Sequence, residues 1–169
     1  MPQSFGPENA RLTVRTARTG AASKAGHDLL IEVTSWSATL DPEADPAVTL
    51  SADPRSLRVL EGTGGIQALD DDDKAGIKRT IDDEVLEGTP IEFRSTRLEP
   101  GDPIRVEGEL ELRGERRAIA FELSSGGDGR LTGTAVVTQS EWGMKPYSAL
   151  FGTLKVADEV EVAVDTRGG

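Results

Sequence analysis

The chain has one histidine, His27, followed directly by Asp28. A histidine beside a carboxylate is the minimum equipment of a general base, since its unperturbed pKa lies near neutrality and a neighbour can tune it. HDLLIEV reads as a strand, however, and adjacent strand residues point to opposite faces, so Asp28 is badly placed to orient the His27 ring. Capping, loop anchoring or a polar contact at one end of the fold is the leading reading of His27, and acid–base catalysis is the alternative.

The carboxylates offer less. Glu107, Glu109 and Glu111 alternate with apolar residues, which places them on one outer, solvated strand face. The run 70–73 lacks the spaced oxygens and the glycine of a calcium loop. It stands where a helix begins, and there the helix dipole favours negative charge without any metal. With no cysteine, disulfides, thiolate zinc sites and thiol nucleophiles are excluded. One histidine rules out a two-histidine zinc motif, Gly62–Gly65 does not complete a dinucleotide fingerprint, and no GxSxG or phosphate-binding loop occurs. The expectation is a non-enzyme without cofactor or metal.

Aromatic side chains are the other chemically distinctive group. The chain has four Phe, two Trp and one Tyr, yet Trp142, Tyr147 and Phe151 fall together in QSEWGMKPYSALFG. Gly143, Pro146 and Gly152 interrupt that stretch, so it reads as an aromatic loop leading into a strand with Val156, Val160, Val162 and Val164 in alternation.

The elements that must position these residues are nearly all strands. Leu12 and Val14 alternate with Thr13 and Arg15. Leu29, Ile31 and Val33 share one parity, whereas Trp36, Ala38 and Leu40 share the other, which demands a one-residue slip, read as a bulge, near Thr34 and Ser35. DPEADP makes a turn. Val48, Leu50 and Ala52 continue the alternation, Pro54 interrupts it, and Leu57 and Val59 resume it. The period then changes: Ile77, Ile81 and Val85 recur every fourth residue, which predicts a helix over 71–87 with Gly88 as its C-terminal cap. Its narrow apolar stripe suits the outside or end of a sheet. Period two returns in Ile91, Phe93 and Ser95, then Ile104, Val106, Gly108, Leu110 and Leu112, then Ile119, Phe121 and Leu123, then Leu131, Gly133, Ala135, Val137 and Gln139. Inward glycines at 108 and 133 predict close approach or strong curvature.

These runs make about eight antiparallel strands with one helix. An all-β, up-and-down antiparallel barrel is the leading architecture because closure removes sheet edges, and a sandwich is the alternative. The 169 residues suit a single domain spanning 1–169. A formal net charge of −11 argues against nucleic-acid and anionic-membrane partners. No stretch resembles a secretory leader or a membrane span, which leads to the expectation of a cytoplasmic protein without stable membrane insertion. Its aromatic-rich mouth would suit a homodimer.

HDLLIEV, DPRSLRV, PIEFRST, VEGELELRGERRAIAFEL and above all QSEWGMKPYSALFG with VADEVEVAV resemble the YceI-like family of lipocalin-like barrels over roughly residues 11–165. Asp28 stands where Ser is common, and the charged helix replaces an RDxHL-like segment. The resemblance implies a non-enzymatic, polyisoprenoid-binding barrel that takes a long-chain isoprenoid or fatty-acid-like ligand into an apolar interior, for transport or sequestration. It further implies a lining of Leu29, Ile31, Leu50, Phe93, Val106, Leu110, Phe121 and Val137, with Trp142, Tyr147 and Phe151 toward the mouth and His27 near a head group. Trp36, a large ring on an inward row, joins this candidate set. The alternatives are an enzyme that uses His27 on a lipid-like substrate, and a filled barrel that docks a protein.

Overall fold

Alternation of apolar and polar residues turns one row of each long strand inward. In the computed structural model these strands curl around a single apolar core. The structure describes residues 3–16, 18–19, 28–63, 71–80, 82–83, 86, 88–126, 130–143, 148–149, 154–156 and 158–166. In chain order the strands are β1 (Gln3–Phe5), β2 (Ala10–Thr16), β3 (Arg18–Thr19), β4 (Asp28–Val33), β5 (Trp36–Leu40), β6 (Val48–Ala52) and β7 (Leu57–Thr63). After helix α1 (Asp71–Thr80) come β8 (Ile91–Glu99), β9 (Ile104–Leu112), β10 (Glu115–Ser125), β11 (Leu131–Thr138), β12 (Ser148–Ala149), β13 (Leu154–Val156) and β14 (Glu159–Thr166).

Several of these segments are halves of one bent strand. β5 pairs with β6 while β4 pairs with β7, and the hairpin stays continuous through its corner. There the Thr34 amide donates to the Ser56 carbonyl (2.9 Å) and the Asp53 amide to the Ser35 carbonyl (3.0 Å). The slip foreseen at Thr34 and Ser35 is therefore real, but it takes the form of a corner with both residues exposed rather than a bulge inside one strand. β1 and β2 bend alongside it, since β1 pairs with β5 and β2 with β4. With the halves joined, eight antiparallel strands follow one another in sequence order. The ring is completed where β14 pairs with β2, Val164 opposite Leu12 and Thr166 opposite Ala10. This is the up-and-down barrel expected from the sequence. β12, β13 and β3 form a separate three-stranded sheet.

One reading needs correction. Val156 belongs to β13 of the small sheet, so the closing row in β14 consists of Val160, Val162 and Val164. Of the helix expected over 71–87, α1 covers Asp71–Thr80, Asp82 and Asp83 beyond it are π-helical, and Leu86 is buried in the core. Gly88 does take the left-handed conformation foreseen for it (φ 70°), with the Thr89 amide bonded to the Leu86 carbonyl. α1 lies beside β7, with Ile77 packed against the core. Lys78 Nζ donates to the Arg55 carbonyl (2.7 Å), which ties the helix to the hairpin corner.

Candidate functional site

The interior of the ring is the candidate site. Ile31, Trp36, Phe93, Val106, Leu110, Val137 and Trp142 are buried members of one apolar cluster. Leu29, Leu50 and Phe121 are partly buried and pack against it. The structure thus brings together every expected lining residue that it describes. His27, Tyr147 and Phe151 lie outside the described residues.

Cross-strand register explains how residues far apart in sequence meet here. Leu50 stands opposite Phe93, Phe93 opposite Leu110, and Val106 opposite Phe121. Phe93 and Phe121 belong to strands separated by β9, yet their ring centroids are 5.4 Å apart at a 57° tilt, a favourable aromatic geometry. Gly108 on the intervening strand makes this contact possible. A β-carbon there would lie 2.6 Å from the Phe93 ring and 2.4 Å from the Arg94 carbonyl oxygen. Gly133 is similarly crowded, with the Glu122 carbonyl at 2.7 Å. Both inward glycines therefore mark close approach, as their parity predicted.

The two tryptophans differ in the fate of their indole N–H. Trp142 closes a 3-10 turn, Gln139–Trp142, and is only 1% exposed; its Nε1 donates to the Leu110 carbonyl at 2.7 Å. The turn is held by Asp158, whose backbone carbonyl accepts from the Gln139 amide and whose carboxylate accepts from Ser140. Trp142 is thus an anchored part of the core at one end of the barrel, not an exposed ring of the loop. Trp36 is 7% exposed on the inward face of β5, and its Nε1 has no hydrogen-bond partner among the described residues.

Polar groups on the inward rows are few, and the site list read from the sequence omitted them. Ser95 and Thr166 are buried, and their hydroxyl oxygens accept from the amides of Val48 and Leu131, the first residues of β6 and β11 (2.8 Å each). Gln139 is buried as well. Their alternation with apolar neighbours was the available signal. The charged residues face outward, where Arg97 stands opposite Glu107 and Arg94 opposite Glu109. Glu107 and Glu109 are exposed, the solvated face anticipated for them. Among the described residues, no three His, Cys, Asp or Glu side chains converge as metal ligands, and no helix is long and apolar enough to cross a membrane.

An up-and-down antiparallel barrel whose inward rows are mostly apolar belongs to the lipocalin-like class of architectures. Within that class the sequence is specific: the YceI-like domain matches residues 32–167, and the chain belongs to that family. The crystal structure of Burkholderia cenocepacia BcnA is similar in fold, with a TM-score of 0.60 at 17% identity over 92% of this chain and 94% of that one. No curated protein matches the sequence.

Proposed function

We propose that the protein binds a long-chain amphiphilic lipid, an isoprenoid or a fatty acyl chain, within its barrel and so sequesters or carries it without chemical conversion. The observation that carries this reading is the interior itself. Among the described residues the buried side chains are apolar except for Ser95, Gln139 and Thr166, while the charged groups of the β8–β9 ladder lie on the outer surface. Each CH₂ withdrawn from water contributes about 0.8 kcal/mol, so a chain of roughly ten such groups offsets the cost of association. Membership of a family of polyisoprenoid-binding barrels supports lipid binding in general. Leu29, Ile31, Leu50, Phe93, Val106, Leu110, Phe121 and Val137 would contact the chain, and His27, Tyr147 and Phe151 the region of its head group.

Native mass spectrometry after gentle purification tests the proposal. A co-purifying lipid, or uptake of added isoprenoid or fatty chains, is the expected result. Protein that is empty from several expression hosts and takes up neither would defeat it.

A further inference from the structure

The ring has a split in its wall. β10 shares nine pairs with β9, and β11 shares seven with β14, but β10 and β11 share only four, from Glu122 with Thr134 to Ser125 with Leu131. Beyond these the facing edges 115–121 and 135–138 are both in strand conformation, yet no ladder joins them. The split is bounded at both ends. At one stands the short ladder; at the other the 3-10 turn Gln139–Trp142 packs on β10, with Arg117 Nε donating to the Glu141 carbonyl (2.8 Å) and Trp142 Nε1 to the Leu110 carbonyl.

Solvent reaches the inner row at this place. Ile119 and Phe121 stand opposite Gly108 and Val106, and Ala135 opposite Val162, so all three belong to the inward face. They are only half-buried, whereas Val106 and Leu110 on β9, which is laddered on both sides, are 0% and 8% exposed. The outer rim is apolar as well. Ala118, Ala120 and Val136 are exposed, and Val136, at 56%, is the one exposed large hydrophobic among the described residues. In a chain with 29% charged residues, neither 118–121 nor 131–138 holds a charge.

Resting on the lipid-binding reading above, we infer that the split between β10 and β11 is the portal through which the apolar chain enters and leaves the interior. Elsewhere in the wall a passing chain has to separate ladder pairs and so break backbone hydrogen bonds. Along 115–121 and 135–138 the two strands share no ladder to break. A rim without charges also presents no ionic group that a hydrocarbon would strip of water. The nearer end of the barrel is occupied: Trp142, 1% exposed and bonded to Leu110, is packed into the core there.

The chain has no cysteine, so Ala120→Cys with Val136→Cys gives it one thiol pair across the split, at positions that would face each other if the ladder of Glu122 with Thr134 continued. A disulfide, or a short bis-maleimide where the sulfurs stand too far apart to join, closes the portal in the full chain, and mass spectrometry confirms the closure. A second pair, Thr13→Cys with Ala163→Cys, staples the intact β14–β2 ladder as a control. The probes are retinol and cis-parinaric acid, an isoprenoid and an acyl chain whose fluorescence rises on burial. Closing the portal should slow uptake and release alike by about tenfold or more, the effect of having to break one or two ladder hydrogen bonds elsewhere. The control staple should leave both rates as they are in its reduced form. Equal rates with the portal open and closed would overturn the inference and leave lipid binding standing. So would an equal slowing by the control staple, since loosening of the whole wall would then govern exchange. If neither probe binds the unstapled chain, the lipid-binding reading itself fails and the portal with it.

Discussion

At the scale of single residues, period-two alternation carried the most information. It identified Ile31, Phe93, Val106, Leu110 and Val137 as inward because a strand with one solvated face cannot exchange its parities without exposing the whole row. It also singled out Gly108, although not the ring that requires it. Gly108→Ala would push a β-carbon against the Arg94 carbonyl and the Phe93 ring. Since backbone cannot swing aside as a flexible side chain does, the substitution should lower stability by about 1–3 kcal/mol, read from a urea midpoint. Trp142 was harder to interpret. Three aromatics close together in a glycine- and proline-broken stretch look like a loop, and only the carbonyl of Leu110, 32 residues earlier, makes Trp142 core. Trp142→Ala should therefore cost about 3–5 kcal/mol in urea unfolding, far more than an exposed loop ring would. The unpartnered, buried indole N–H of Trp36 had no sequence signature at all.

At the scale of elements, the parity switch between Val33 and Trp36 announced a slip, but local pattern could not show that the chain bends there, with its neighbours bending alongside it. That outcome is set by the corner. Ser56 is central to it: its Oγ lies 2.8 Å from the Asp53 carbonyl and 3.2 Å from the Ser35 carbonyl, while its own carbonyl accepts from both the amide and the hydroxyl of Thr34. Ser56→Ala removes only the hydroxyl donor at an exposed bend, so a loss of about 0.5–1.5 kcal/mol is expected in thermal unfolding, with the strands retained by circular dichroism. The start of the helix was legible from its acidic residues, whereas spacing registers that Leu86 is apolar but not that the core would take it.

At the scale of the whole molecule, the up-and-down barrel was legible because strands consecutive in the chain are neighbours in the ring, and hairpins announce themselves through turns such as Arg113–Gly114, where both residues have positive φ. The interior reading has a direct thermodynamic consequence. A lipid that binds only the folded barrel should stabilise it by mass action, about 2.7 kcal/mol at a free concentration one hundred times its Kd, so the melting temperature should climb with added isoprenoid chain and stay constant with a short-chain analogue. The one seam of the ring that joins strands not consecutive in the chain is the ladder of β14 with β2, which pairs Thr166 with Ala10 across almost the whole chain. Pairings so distant in sequence incur their loop-closure entropy before they return any contact energy, which makes the last seam of the ring the natural bottleneck in folding. A circular permutant that links the outer ends of these two strands and opens the chain at Arg113–Gly114 keeps every ladder but turns that seam into a hairpin. It should refold faster in stopped-flow experiments, at the expense of the β9–β10 pairing, which then becomes the distant one.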